Sequence, residues 1–396
     1  MADYVQLPPW NKPFNEQLAF FKQKLNLPSE RWDDIMHAAH DKAFMVAGAQ
    51  NADLLADLHA AVSKAIDQGL GLDAFRKDFK ALVAKHGWSG WTGEDSKAGV
   101  AWRTKVIYQT NMSTSYAAGR WQQLNDPDLL KATPYWRYKH SDSVLTPRPL
   151  HVSWDGLTLP HDHAFWTTHF PPNGWGCHCR VTPVNKAEFM QAVTAGRGPA
   201  NAPALGNTQG IDTGFAYAPG ANVDLSLRQV VQDKLITYPP AISKALTYDV
   251  NRRINAHEEI PNYVRHAIED KAIKDPLWLG FVENDAEVSE IVGQDVNGYL
   301  VTLPPDTARH VENSHGYDGG DQRPPQPEDF NHLIQVLNDA DDLRQGESSR
   351  HGQATVVARK SIGGEMFRAV FEVLPGKKNR ALALLSFLIK QGKGGG

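Results

Sequence analysis

The sequence predicts a multi-domain chain. A mostly α N-terminal half with a small α+β module containing cysteine and histidine should be followed by a C-terminal α+β domain, helices first and then an antiparallel sheet. Three observations carry this expectation. The chain has 396 residues, beyond the ~250 at which single cores usually split. Apolar residues recur at helical spacing through the first quarter and again after residue 225. Three apolar, strand-like stretches close the chain.

Taken in order, residues 1–95 form the first region. Leu54, Leu55, Leu58, Val62 and Ile66 share one helical face, and Gly69 supplies a stop. Phe75, Phe79, Leu82 and Val83 repeat the pattern up to Gly87, so short antiparallel helices are expected. Residues 96–190 open with a helix from Val100 to Leu124 and change texture at Pro134. From there to Pro183 the chain is rich in aromatics, His, Pro and Gly, with strand-like pieces such as YWRYKH. Residues 191–224 include GRGPANAPALGNTQGIDTGFAYAPGAN, nearly uncharged and Gly/Pro/Ala-rich, which suits a linker or extended arm. Residues 225–290 read as a helical connector. In residues 291–396 a strand (Tyr299–Leu303), a helix opened by PPDT and closed before Gly316, and a helix Pro327–Leu337 precede strands near Ala354–Arg359, Phe367–Leu374 and Ala381–Ile389.

Bulk composition narrows the function. A net charge of −4 argues against coating nucleic acid through phosphate neutralisation alone. No apolar run approaches the ~20 residues that span a bilayer, so no membrane partner is expected. The start MADYVQLPPWNKPF has neither a basic nor an apolar signal region. Two cysteines cannot build a disulfide framework, and without an export signal a reducing compartment is expected.

Both cysteines fall in FPPNGWGCHCRVTPV, one residue apart. A C-x-C pair cannot easily close on itself, but in a turn it can present two sulfurs to one metal. Pro171, Pro172, Gly174 and Gly176 favour such a turn. His151, Cys177 and Cys179, with a fourth ligand from His161, His163 or His169, could hold a structural zinc. The alternative is a pair of buried thiols in a loop-rich fold. Catalytic thiol chemistry is disfavoured, since nothing marks a positioned base.

PPNGWGCHCRVTPV, preceded by TPRPLHVSWDGLTL and TNMSTSYAAGRWQQL, resembles the phage Mu F-like head morphogenesis family, the minor head proteins of tailed phages. Arg148, His151, Gly156, Pro171, Pro172, Asn173, Gly174, Trp175, Cys177 and Cys179 carry the resemblance, and LPSERWDDIMHAAHDKAFMVAG extends it over about the first half of the chain. His178 departs from it, where the family often has arginine. The resemblance implies assembly rather than turnover. Its expected partners are portal and head proteins, and its expected location is the virion head, with the host cytoplasm during assembly.

The C-terminal segments GYLVTLPPDTARHVENSHG, PEDFNHLI and VVARKSIGGEMFRAVFEVLPGKKNRALALLSFLIK resemble the phage-borne branch of the barnase–EndoU–colicin–RelE superfamily. That resemblance implies a small metal-independent ribonuclease, with RNA and an immunity protein as partners. Such chemistry needs a base, an acid and cationic stabilisation at phosphorus. His310, His315, Arg350, Lys360 and Ser386 are the candidates, with His351 beside Arg350. His310 and His315 are five residues apart, about 140° around a helix. His315 lies next to Gly316 at the expected helix end, where the dipole favours imidazolium. Ser386 interrupts ALALLSFLI as a polar group aimed into a site would, although it could equally bond to backbone.

Three functions follow: a minor head protein carrying a nuclease-like domain, a ribonuclease effector delivered by the Mu F-like half, and a zinc-dependent nucleic-acid-binding protein.

Overall fold

The computed structural model describes residues 14–222, 225–314, 320–374 and 380–391. They fall into two compact units, one ending at Leu225 and the other beginning at Ser226.

In the first unit, helices α1 (Asn15–Lys22), α2 (Ala52–Gln68), α3 (Leu72–His86) and α4 (Lys97–Leu124) pack together. Asn51 caps α2 by accepting from the Leu54 N–H, and Gly69 ends it at φ 62°, a left-handed conformation that a Cβ disfavours. The α2 stripe Leu54, Leu55, Leu58, Val62 and Ile66 is buried with Phe75 and Phe79 of α3 and Ile107 of α4. A three-stranded antiparallel sheet follows, with β1 (Tyr135–Lys139) between β2 (Thr158–Pro160) and β3 (Arg180–Val184). Trp136 and Tyr138 of β1 face a second core with Trp154, Phe165, Trp166 and Phe170.

The arm after residue 195 holds a short 3-10 turn at Pro199–Asn201 and otherwise no helix or strand up to residue 222. It is nonetheless packed: Phe215, Tyr217 and Ala218 are buried. Its end is held by the buried Asp41, whose Oδ2 accepts from Gly220 N (2.9 Å), Asn222 N (3.2 Å) and Asn222 Nδ2 (3.0 Å). These bonds join positions about 180 residues apart, which composition could not foretell.

The second unit starts with helices Leu227–Thr237, Pro240–Arg253 and Ala256–Glu269. Its sheet has seven strands among the described residues: β4 (Leu277–Phe281), β5 (Leu300–Leu303), β6 (Gln322–Arg323), β7 (Asp342–Gln345), β8 (Thr355–Ile362), β9 (Glu365–Val373) and β10 (Ala381–Gln391). The order is β4-β5-β10-β9-β8-β7, with β6 also on β10. All pairings are antiparallel except β5 with β10. Strand β4 therefore joins the sheet from within the segment expected to be a helical connector. The helix Pro305–Ser314 docks on the sheet through Thr307, whose hydroxyl donates to Leu384 O at 2.7 Å. Among the described residues, no helix is long and apolar enough to cross a membrane.

Candidate functional site

The PPNGWGC loop is shaped by a few close contacts. Asn173 is fully buried; its Oδ1 accepts from the Tyr138 hydroxyl at 3.0 Å and its carbonyl from Asp212 N at 3.0 Å. Asp212 reaches back, its Oδ2 accepting from Trp175 N (2.9 Å) and Arg148 Nη2 (2.7 Å). Gly174 lies under that carboxylate, and a Cβ there would stand 2.6 Å from Asp212 Cγ. Gly176 turns the chain at φ 68°. The result presents Trp175, 41% exposed, edge-on to Trp32 and Phe215.

The same turn delivers the sulfurs. Cys177, Cys179 and His151 form a group whose ligating atoms lie within 4.8 Å of one another. His151 comes from the short helix Pro149–Ser153 and is buried against Trp154. Its Nδ1 is 3.7 Å from each sulfur, and its Nε2 is 2.8 Å from Gly210 O. A carbonyl only accepts, so Nε2 carries the proton and Nδ1 presents a lone pair. The Cys177 thiol is lowered below its ordinary range, chiefly by the hydrogen bond from Cys179, against the opposing cost of burial. Cys179 is raised because it holds the shared proton.

His161, His163 and His169 do not enter this group. His161 Nδ1 lies 3.3 Å from Pro134 O, His163 Nδ1 accepts from Phe165 N, and His169 pairs with the Thr168 hydroxyl while stacking on Phe165. The histidine that approaches is His140, immediately after β1, with Nδ1 3.5 Å from Cys179 Sγ. The antiparallel register, Lys139 opposite Arg180, brings the next positions, His140 and Cys179, across from each other, a pairing visible only once the two strands are known to be partners.

In the second unit the four described candidates are not brought to one cleft. His310 is exposed on the helix Pro305–Ser314, and His315 lies outside the described residues. Arg350 is exposed in the loop after β7 and its Nε donates to His351 Nε2 at 3.1 Å. Lys360 is ion-paired with Asp339 (3.0 Å) and Asp341 (3.2 Å), and the hydrogen bond to Asp339 raises its pKa. Lys360 is paired with Phe367, and Phe367 with Ile389, on the core face. Ser386 pairs with Val370, and Val370 with Val357. Phe367 and Val370 are three residues apart on one strand, so Lys360 and Ser386 lie on opposite faces of the sheet.

The Ser386 face carries three arginines absent from that expectation: Arg344 opposite Val357, and the directly paired Arg359 and Arg368. Asp342 neighbours Arg359 (3.4 Å) and Arg344 (3.9 Å), and Glu372 lies farther along β9, hydrogen-bonded to Ser349. Arg368 has no ion-pair partner among the described residues, and burial followed by the charges of Arg359 and Arg344 lowers its pKa. The alternation in VVARKSI and EMFRAVFEV was the signal that places these residues on one face.

The family model described as "Phage Mu protein F like protein" matches residues 56–182, from α2 through β3. This segment resembles that family. The matched segment includes the cysteine loop; the second unit lies outside that match. The chain is 32% identical over 200 residues to the "Putative capsid assembly protein F" of Escherichia phage Mu, covering 48% of this chain and 44% of that protein. It is 33% identical over 160 residues to the "Mu-like prophage FluMu F protein" of Haemophilus influenzae, covering 39% of this chain and 38% of that protein. The chain thus spans under half the length of either relative. No solved structure gives a significant match.

Proposed function

We propose that this chain is a phage or prophage head-assembly protein that acts at or near the portal, using its Mu F-like segment as a docking module. The observation that carries the reading is the match over residues 56–182, together with the relative named as a putative capsid assembly protein. The loop chemistry supports docking over turnover. Asn173, Asp212 and Arg148 fix the backbone, and the aromatic edge of Trp175 stands partly in solvent, the kind of rigid anchor that protein interfaces favour. Head and portal proteins are then the partners, the virion head the destination and the host cytoplasm the place of assembly. Mass spectrometry of proheads and virions from cells making the phage tests this. The chain should be found there in few copies; its absence from both would refute the reading.

A second reading concerns the C-terminal unit, as a ribonuclease or RNA-binding module carried with the head protein. Arg344, Arg359 and Arg368 on the Ser386 face favour it, because cations on an open sheet suit phosphodiester oxygens. An active ribonuclease would also require an immunity protein in the producing cell. Binding and cleavage of single-stranded RNA by the full chain, compared with Arg368→Ala, tests it. Unchanged affinity and no cleavage by either protein would remove it.

A further inference from the structure

We propose that His140, His151, Cys177 and Cys179 hold one zinc ion as a closed, structural His2Cys2 site. The inference rests on the geometry of the loop and stands whether or not the chain enters a phage head.

Tetrahedral zinc holds sulfur at about 2.3 Å and nitrogen at about 2.0–2.1 Å, so the edge between a sulfur and a nitrogen ligand is about 3.6 Å. The three nitrogen–sulfur separations here are 3.7, 3.7 and 3.5 Å. Thiol–imidazole hydrogen bonds span the same distances, so what points to an ion is the convergence of two sulfurs and a buried imidazole nitrogen within 4.8 Å of one another. The tautomer agrees as well. His151 gives its Nε2 proton to Gly210 O, which is the outer hydrogen bond that orients a ligating histidine and leaves Nδ1 for the metal.

His140 is the fourth donor. It stands at the rim of the three-residue group, half-buried, with its backbone N–H bound to Asp155 Oδ1 at 2.9 Å. Its main chain is therefore fixed, its Nδ1 already touches Cys179, and its ring must turn further to join the three atoms that lie within 4.8 Å of one another. Two thiolates balance the ion's charge, and soft sulfur with imidazole nitrogen at tetrahedral spacing selects zinc over magnesium or calcium. Cys177 and His151 are 5% and 2% exposed, and four protein donors leave no open position for substrate. The ion is accordingly architectural. It ties the end of β1, the helix Pro149–Ser153 and the PPNGWGC turn together in a unit whose cysteines are both free of disulfide.

The test uses the full chain purified without chelator. Elemental analysis and native mass spectrometry should find about one zinc per chain. Replacing it with cobalt(II) should give the visible absorption of a tetrahedral site with sulfur-to-cobalt charge transfer, a readout that needs no variant. Cys177→Ser, Cys179→Ser, His151→Ala and His140→Ala should each bring zinc below about 0.2 per chain. His161→Ala, His163→Ala and His169→Ala should leave it unchanged. Zinc below about 0.2 in folded wild-type protein, with no cobalt spectrum, would overturn the site. Retention in His140→Ala with loss in His169→Ala would overturn the assignment of the fourth ligand.

Discussion

Gly174→Ala is the sharpest mechanical test of how the PPNGWGC loop is held. The added methyl would stand 2.6 Å from Asp212 Cγ and 3.0 Å from Arg148 Nη2, so the carboxylate must leave its place. It would then lose the bond from Trp175 N at 2.9 Å and the ion pair with Arg148 at 2.7 Å. A backbone donor to a carboxylate contributes about 1.5 kcal/mol. The ion pair adds at most about 1 kcal/mol, because both side chains are roughly a third exposed. The expected loss is therefore about 2.5 kcal/mol. Gly176→Ala meets nothing within 4 Å but sits at φ 68°, and should cost only the left-handed strain of about 1 kcal/mol. For a unit of this size the melting shifts should be about 5–10 °C and about 2–4 °C. Thermal unfolding of the two variants in the full chain gives the ordering. In an Asp212→Ala background the Gly174→Ala cost should nearly vanish. If Gly176→Ala were the more damaging, or if the Gly174→Ala cost persisted without Asp212, the contact reasoning would be wrong.

Three other outcomes follow from buried charge. Lys24 is 3% exposed, and burial lowers its pKa to about 8 despite the attraction of Asp41. The unfolded chain then binds more protons between pH 8 and 10.5, so stability should rise with pH across that window. Lys24→Met should abolish the rise and add about 3 kcal/mol at pH 7, read from urea unfolding. Asp41→Ala removes the acceptor of three hydrogen bonds from Gly220 and Asn222, so limited proteolysis should cut the arm between residues 205 and 222 at least about tenfold faster. In the second unit Arg228 is buried, with Nε 2.5 Å from Glu259 and its guanidinium over Trp278. Glu259→Ala should cost about 3 kcal/mol by leaving that cation unpaired, whereas the volume-matched Arg228→Met with Glu259→Gln should recover most of it.

Much of this architecture is legible in the residues, and the parts that are not share a physical cause. Helices α2 and α3 could be read because one apolar face and a glycine stop coincide at Gly69 and Gly87. The loop could be read because both cysteines sit in one proline- and glycine-bounded turn. Strand β7, DLRQ, is a short polar edge and carries no apolar alternation. Strand β4, LWLGF, is short, and its register shifts between Trp278 and Gly280. Beside Ser386 the strand bulges: Phe371 pairs with Leu384 while Val370 pairs with Ser386, so Leu385 is the extra residue. Leu384 and Phe387 then share the core face although three residues apart, and simple alternation misassigns what lies between them. The fourth metal donor and the clamp on the arm were hidden for another reason. His140 is 39 residues from Cys179, and Asp41 is 179 residues from Gly220; such pairs meet only through tertiary packing.

If the loop around the two sulfurs is a rigid fixture for docking in a phage head, disrupting it should keep the chain out of particles. Quantitative mass spectrometry of particles assembled with wild-type protein or with Cys177→Ser/Cys179→Ser addresses it directly, with soluble expression matched. Incorporation of the double variant should fall at least about tenfold. Incorporation equal to wild type would contradict the claim.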